Sequence, residues 1–352
     1  MFRLVRHGLA MPRRLLTGVL LTMLVGLAPV SLAGCSFGGP DLPSSSPSAT
    51  GSAPSSVNAQ PRTTLATGGE LRLPVDSIGD QWNPLSSGSD ADVDLVMSSL
   101  LPRLFDYDAE GNPSPDSDYL AAVSASGGDP QVVTYTLSPN AVWNSGRAMD
   151  ADDFIAEWKA CNGQNVSFKC NAIAKFSQVS SVKQGTGPNQ VVVTYKGAYS
   201  DWPSTFGFLL PKESDADPAT FNDGWNSLTK LDAWLAGPFQ VSAVSRRAGV
   251  IIETPDPTWW ADAPLLSQLT FRVVAPADRL TALRQDLIDA YDLAGARDAD
   301  NVNALAGCEV RQADVPGGKP QLTAARRTLA NYGAFGQQSI VWTDVGYLQP
   351  PG

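Results

Sequence analysis

The stretch that decides the fold spans residues 133–158 and reads VTYTLSPNAVWNSGRAMDADDFIAEW. Its first part is rich in β-branched and aromatic residues, which predicts a strand over Val132–Leu137. A Ser-Pro-Asn turn follows, and the loop Asn-Ser-Gly comes directly after Trp143. Three aspartates then crowd the start of the segment 150–160, where acidic side chains cap and stabilise a helix. The stretch therefore predicts a strand, a turn and a helix in that order.

Strands and helices continue on both sides of this stretch. β-branched and apolar runs predict further strands, and apolar residues at helical spacing predict two further helices. The predicted strands are 70–75, 191–195, 249–253 and 269–274, and the predicted helices are 91–101 and 276–288. The predicted fold class is therefore mixed, α/β or α+β, with several separate sheets.

Two of the nine tryptophans have the surroundings of a ligand cleft. Trp82 and Trp143 are flanked by Asn, Gln, Ser and Gly in predicted loops, whereas Trp158 shares a helical face with Phe154 and Ile155. An indole has a large apolar face and one N–H donor, which suits both a core and a cleft. We therefore predict that Trp158 lies in the core and that Trp82 and Trp143 border a cleft.

The composition argues against two classes of function. Thirty-five acidic residues against 25 basic ones give a formal net charge of −10, which disfavours binding to nucleic acid through phosphate contacts. The chain has a single histidine, His7. Imidazole is the usual general base near neutral pH and the commonest metal-ligating side chain. We therefore expect neither an enzyme nor a metal site, and no cofactor.

The N-terminus has the organisation of a bacterial lipoprotein signal. Arginines precede an apolar stretch, and Leu-Ala-Gly-Cys follows at 32–35. This box resembles the signal in which the cysteine receives a diacylglycerol, so we predict a signal peptide over 1–34 and a lipid on Cys35. The lipid would hold the protein on the extracytoplasmic face of the cell membrane. An ordinary secretory signal and a membrane anchor helix are the alternatives, and Met1 and Met11 are both candidate starts.

The other cysteines fit an exported protein. Cys161 and Cys170 lie close together around a polar loop, and Cys308 stands alone. Outside the reducing cytosol this spacing favours a local disulfide, with a pair of buried free thiols as the alternative. A structural zinc site needs four Cys or His ligands, and the chain without its signal has no histidine.

Three blocks of sequence carry a resemblance to a known family. The first is 133–158, the second contains Gly237-Pro-Phe239 and Trp259-Trp260 with the strand and helix after them, and the third is Asn83-Pro-Leu85. In this order and spacing the chain resembles the family 5 extracellular solute-binding proteins. These are the peptide-binding lipoproteins of ABC importers, and the resemblance is to their actinobacterial type.

The resemblance implies a type II periplasmic-binding-protein-like architecture, in which two lobes close on a ligand without changing it covalently. By the family's layout, Asp76, Ser77 and Trp82 after the first strand, together with Gly237 and Phe239, would border the ligand cleft. The implied partners are a peptide or small solute and the permease subunits of an ABC importer. A cell-envelope scaffold or regulatory lipoprotein on the same fold is the alternative, since some actinobacterial relatives act in lipoglycan assembly.

Length sets this chain apart from the family it resembles. In the family a second lobe follows the last matched block, and few residues remain here. We therefore predict that an internal deletion joins the first lobe to its own tail, with Gly317-Gly-Lys-Pro320 as the seam. Its expected trace is an exposed former interface or a poorly ordered stretch at 298–323. If the deletion has occurred, the solute-binding function is degenerate.

The predicted organisation is a signal peptide at 1–34, a lipidated cysteine and Ser/Pro-rich tether at 35–67, a main lobe at 68–100 and 176–297, an inserted subdomain at 101–175, a deletion junction at 298–323, and a C-terminal segment at 324–352 that packs on the main lobe.

Overall fold

The computed structural model describes residues 57–108, 111–313, 321–333 and 340–350. The predicted signal peptide, Cys35 and the predicted seam at 317–320 lie outside these ranges. The strands are β1 (Leu65–Ala66), β2 (Glu70–Val75), β3 (Phe105–Tyr107), β4 (Pro113–Pro115), β5 (Leu120–Ala125), β6 (Val132–Leu137), β7 (Val179–Gln184), β8 (Gln190–Tyr195), β9 (Phe239–Ser245), β10 (Val250–Pro255), β11 (Gln268–Val273), β12 (Ala290–Leu293), β13 (Cys308–Ala313), β14 (Gln321–Arg326), β15 (Leu329–Ala330) and β16 (Gly346–Leu348).

The α-helices are α1 (Ala91–Met97), α2 (Ala151–Cys161), α3 (Ile173–Phe176), α4 (Pro218–Asp223), α5 (Arg279–Arg284) and α6 (Ala299–Asn303). Single 3-10 turns lie at Arg62–Thr64, Trp202–Ser204, Leu228–Lys230, Asp232–Trp234, Pro276–Asp278 and Ala296–Asp298. Within the described ranges, none of the helices combines the length and the hydrophobicity needed to cross a membrane.

The main sheet has the order β2-β11-β10-β9. β2 pairs in parallel with β11, and the other neighbours are antiparallel. Leu71, Leu73 and Val75 of β2 are buried, and Val96 and Met97 of α1 belong to the same hydrophobic core. The mixed fold class predicted from the sequence is thereby confirmed.

A second sheet of order β5-β6-β8-β7 lies under α2. Asp150 caps α2, and the Asp153 carboxylate accepts the Asp150 backbone N–H in return, so the predicted acidic start of this helix is present. β7 and β8 pair with each other, and β8 pairs with β6. The segment 179–195 therefore joins the sheet of the predicted subdomain, and the predicted boundary at 175/176 is wrong. Its cause is that the chain forms α2 and α3 after β6 and then returns to the same sheet as β7.

The C-terminal end of α2 is joined to the following loop by a disulfide. Cys161 and Cys170 form it, with their Cα atoms 5.3 Å apart. Cys308 is a buried free thiol on β13.

Residues 57–67, which precede the main sheet, contact residues near the end of the chain. β1 pairs with β16, and Leu65 is buried. The Asn58 side chain donates to the Leu329 carbonyl at 3.0 Å, and the Gln60 N–H donates to the Asn331 side chain at 2.8 Å. The prediction that the tether reaches residue 67 is therefore wrong for 57–67, because these residues have a buried side chain and backbone partners.

A third sheet of order β12-β14-β13 occupies the region of the predicted junction. In the described part of 298–323, α6, β13 and the start of β14 are regular elements, and Val302 and Thr323 are fully buried. The expectation of a poorly ordered stretch is thus wrong for these residues. The three-stranded sheet is not the size of a lobe, so the internal deletion stays a prediction.

Two helices are shorter in the structure than the apolar spacing of the sequence predicts. α1 ends at Met97, and the hydroxyls of Ser98 and Ser99 donate back to the Leu95 and Val96 carbonyls. The predicted helix at 276–288 is a 3-10 turn followed by α5. It stops before Asp286, whose φ of 59° is left-handed and incompatible with a continuing α-helix.

Two carboxyl groups meet in the core beside the second sheet. Glu157 of α2 is fully buried and accepts the Leu210 N–H at 2.8 Å, and Asp215 accepts the Ser214 hydroxyl at 3.0 Å. One oxygen of each has no hydrogen-bond partner. Burial raises the pKa of Asp215 to about 8, and burial together with the Asp215 charge raises the pKa of Glu157 well above its usual range.

The free energy of unfolding is expected to fall as the pH rises from about 4 to about 8. In that window the folded protein keeps the proton on Asp215 whereas the unfolded chain releases it, at a cost of up to about 1.4 kcal/mol per pH unit for one group. Urea unfolding at several pH values measures the slope. Asp215→Asn should flatten it, and an unchanged slope in this variant would contradict the assignment.

Candidate functional site

The turn after β2 is held by α1. Asp92 in the first turn of α1 accepts the backbone N–H groups of Asp76 at 2.7 Å and Ser77 at 3.0 Å. Burial raises the pKa of the Asp92 carboxyl, and these two donors oppose the rise. The Asp76 carboxylate forms an ion pair with Arg279, with Oδ1 and Nη2 2.6 Å apart. The turn is therefore fixed both by α1 and by the start of α5.

A cavity of about 90 Å³ opens beside this turn. It lies at the carboxyl end of β2, where β2 contacts β12 of the third sheet. Its polar lining consists of Asp92, Arg279, Tyr291, Asp292 and Tyr332. A space of this size takes a few water molecules or one small polar group.

Acidic groups outnumber basic ones around the cavity. Asp292 accepts the Thr323 hydroxyl at 2.7 Å and the Gln321 side-chain N–H at 2.9 Å. Two carboxyl groups of the lining, those of Asp92 and Asp292, therefore face one guanidinium, which is already paired with Asp76. This balance favours a cationic group in the cavity.

The two tyrosines present hydroxyls that stay protonated. Burial raises the pKa of Tyr291 to about 12 and the pKa of Tyr332 further still. The backbone of Tyr332 is positioned by Arg311, a fully buried residue of β13 that donates to the Tyr332, Leu329 and Arg326 carbonyls. The C-terminal segment therefore contributes one wall of the cavity.

An ion-pair network lies next to the cavity and is centred on Asp289, the residue before the lining residue Ala290. The guanidinium of Arg72 on β2 makes two hydrogen bonds to the buried Asp289 carboxylate, at 2.9 and 2.7 Å. Arg326 on β14 approaches the same carboxylate at 3.7 Å and pairs with Asp286. The main sheet and the third sheet are thus joined through Asp289, immediately before β12.

The structure divides the predicted site residues into two groups. Asp76 and Ser77 are exposed and do not line the cavity themselves, but they bond to its lining residues Asp92 and Arg279. Trp82, Trp143 and Phe239 are buried, with exposed fractions of 2%, 1% and 0%, and Gly237 is buried with them. These four residues are therefore not exposed in this structure, and the prediction that they border the ligand cleft stays a prediction.

Each of the four has a structural contact that explains its burial. The Trp143 indole N–H donates to the Asp153 carboxylate at 3.2 Å, and the backbone N–H of Trp82 donates to the Trp225 carbonyl at 3.0 Å. Gly237 lies against the backbone of Ser99, and the Phe239 backbone N–H donates to the Ser99 carbonyl at 3.2 Å. Polar neighbours in the sequence suggested exposure, but these loops fold inward. Trp158, predicted to lie in the core, is partly buried and packs against it.

No local sequence motif marks the other residues of the cavity. Arg279 stands at the start of a predicted helix, and Tyr291 and Asp292 lie in a segment with no chemical motif. Only the pairing of β12 with β14 brings Asp292 beside Thr323. Among the described residues there is no group of three or more His, Cys, Asp or Glu side chains that could hold a metal ion.

Comparison with known proteins gives a consistent result. Residues 120–323 match the family model described as bacterial extracellular solute-binding proteins, family 5 Middle. The chain is 35% identical over 295 residues to the oligopeptide-binding protein OppA of Mycobacterium tuberculosis, covering 81% of this chain and 49% of OppA. It is 26% identical over 272 residues to the probable monoacyl phosphatidylinositol tetramannoside-binding protein LpqW of the same organism, covering 74% of this chain and 40% of LpqW.

A solved structure shows the same fold. The periplasmic EDTA-binding protein EppA superposes with a TM-score of 0.64 at 26% sequence identity, covering 73% of this chain and 49% of EppA. The chain spans about half the length of the curated relatives it matches.

Proposed function

The chain belongs to the family 5 bacterial extracellular solute-binding proteins, and from this premise we propose that it is the lipid-anchored binding component of an ABC importer for peptides or related solutes. It is related to oligopeptide-binding proteins, and its family is one of binding proteins rather than enzymes. The proposed partners are the permease subunits of the importer. Binding would be non-covalent.

The observation that carries this proposal is the excess of carboxyl groups at the cavity after β2. A peptide has an ammonium group at its N-terminus, and Asp92 and Asp292 offer acceptors for it in a lining whose single arginine, Arg279, is already paired with Asp76. The location supports the same proposal, since ligands of open α/β sheets bind outside the carboxyl ends of strands. The cavity would hold the terminus of the ligand and not its whole length.

Asp292→Asn is expected to weaken the binding of tri-alanine at least about tenfold, because a charge-assisted hydrogen bond to the ammonium is lost. Calorimetric titration of the full chain measures the affinity. Asp80→Asn is the matched control, since Asp80 is 85% exposed in a surface pair with Arg246. N-acetylated tri-alanine should bind the wild type and Asp292→Asn equally. If Asp292→Asn weakens both peptides to the same extent, the cavity does not hold the ammonium group.

The proposed lipid anchor rests on the signal and the box at 32–35, which lie outside the described residues. In a bacterial host, wild-type protein is expected to fractionate with membranes and to take up labelled fatty acid. Cys35→Ala should abolish the label and prevent signal cleavage before residue 35. Cys308→Ala is the control, because this thiol is buried in the folded chain. Label retained in Cys35→Ala would disprove lipidation at this position.

A cell-envelope scaffold or regulator is the second candidate function. It is favoured by the similarity to LpqW, a probable monoacyl phosphatidylinositol tetramannoside-binding protein. Separate titrations of the protein with monoacyl phosphatidylinositol tetramannoside and with tri-alanine distinguish the two candidate functions. Binding of the lipid and not of the peptide would favour the envelope function.

A further inference from the structure

A second cavity, of about 220 Å³, lies on the other side of α1. It is enclosed by α1, β3, the loop after β2 and the segments 171–175 and 203–208. The two cavities share no lining residue. Asp92 faces the first cavity and Asp94 the second, as expected for helix positions two apart, which point about 200° from each other. The second cavity is therefore a separate site.

Opposite charges face this cavity without touching. Asp94 is half-buried and makes no side-chain hydrogen bond or ion pair in the part of the chain that the structure describes. Burial raises its pKa to about 6, and the charge of Lys175 opposes the rise. The Lys175 ammonium donates to the Ser204 carbonyl at 3.2 Å, which leaves two of its N–H groups for other acceptors. Both charges are thus available to a ligand.

Arg103 is a second cationic residue that lines this cavity. Arg103 is buried, and one of its terminal nitrogens, Nη1, has no hydrogen-bond partner, while Nη2 donates to the Ile340 carbonyl. Asp106 lies 4.0 Å from Nη2. Burial without full pairing lowers the pKa of Arg103. An anionic group in the cavity would therefore be stabilised by Lys175 and by Arg103, whose charge Asp106 partly offsets, while Asp94 would stabilise a cationic group.

The remaining walls are partly apolar, with polar residues at Asn171, Ser204 and Thr205. Leu85, Phe105 and Phe208 line the space between the charged groups. The volume lies below the range of about 300–1,000 Å³ that is usual for drug-sized ligands. A molecule of amino-acid size, with an apolar or aromatic body, matches both the volume and the lining.

We propose that this cavity binds a small zwitterion of amino-acid size. Its ammonium would bind Asp94, its carboxylate would bind Lys175 beside Arg103, and its apolar body would pack on Phe105 and Phe208. The site is independent of the cavity after β2. It would give the protein a second ligand besides the one bound at the proposed peptide site.

The probes for this site are L-phenylalanine and L-leucine, with 3-phenylpropionate and phenethylamine as analogues that lack one charge each. Calorimetry on the full chain should show binding of both amino acids, and each analogue should bind at least about tenfold more weakly than L-phenylalanine. Asp94→Asn and Lys175→Met should each weaken L-phenylalanine at least about tenfold. Ala172→Phe should abolish binding by filling the cavity, which Ala172 lines.

Matched controls are Asp223→Asn and Lys183→Met, two exposed positions away from the cavity, and both should bind like the wild type. Far-ultraviolet circular dichroism reports whether each variant is folded, and Ala172→Phe tests the site without altering a charge. The proposal is overturned if the folded wild type binds neither amino acid at about 10 mM. It is also overturned if Asp292→Asn weakens amino-acid binding while Asp94→Asn and Lys175→Met do not. Failure of the peptide titration alone leaves this result unaffected.

Discussion

Gly237→Ala is expected to lower the free energy of unfolding by at least about 3 kcal/mol, because no space exists for a β-carbon at this position. An added Cβ would lie 2.2 Å from the Ser99 carbonyl oxygen and 2.7 Å from the carbonyl carbon of Leu100. Both contacts are to backbone, which cannot rotate away as a side chain can. Hydrogen bonds from Ala236 to the Leu100 carbonyl and from Phe239 to the Ser99 carbonyl hold the two segments together.

Urea unfolding monitored by tryptophan fluorescence measures this effect. Gly127→Ala is the matched control, since a Cβ on Gly127 would meet no atom within 4 Å, and its effect should stay within about 0.5 kcal/mol. A Gly237→Ala protein as stable as the control would show that the two segments separate easily. The expected result assigns Gly237 to the packing of the lobe and not to ligand contact.

Asp289→Asn is expected to cost about 3 kcal/mol of unfolding free energy, because it leaves the guanidinium of Arg72 against a neutral, buried partner. Asp289 is 3% exposed and joins β2 to the third sheet through its two bonds to Arg72. Its carboxylate also accepts the Arg72 backbone N–H at 2.9 Å. Loss of the charge therefore weakens side-chain and backbone contacts together.

Asp286→Asn provides the control for this prediction. Asp286 pairs with Arg326 but its side chain is 72% exposed, so its loss should cost less than about 1 kcal/mol. The comparison is made by urea unfolding at low and at high salt. Equal effects of the two substitutions would mean that the buried network does not join the sheets. Since Asp289 immediately precedes β12, Asp289→Asn should also weaken tri-alanine binding at the adjacent cavity.

Local sequence was sufficient for the elements whose signals are complete within a few residues. Alternation in Val132–Leu137 predicted β6, and the aspartates at 150–153 predicted the capped start of α2. The family was identified from the order of three blocks, and the match to residues 120–323 confirms it. Helix ends were less predictable. α5 stops before Asp286 because a single left-handed residue there interrupts an otherwise apolar helical pattern.

Among the residues that the family's layout assigns to the cleft, Asp76 and Ser77 bond to the cavity residues Asp92 and Arg279. Trp82 and Trp143 are buried although their neighbours along the chain are polar, because loop composition does not determine which residues are neighbours in space. Asp292 and Tyr332 carry no local motif, and their role depends on segments that meet only after folding.

The amino-acid sequence by itself thus determined the fold class, the family, the start of α2 and the lipoprotein signal hypothesis, since each depends on short-range pattern or on the order of motifs. Tertiary structure alone decided that Gly237 packs against Ser99, that Asp289 joins two sheets, and that Asp92 and Asp94 face different cavities. The physical reason is that burial, charge pairing and cavity shape arise from contacts between segments far apart in the chain. No periodicity within either segment encodes those contacts.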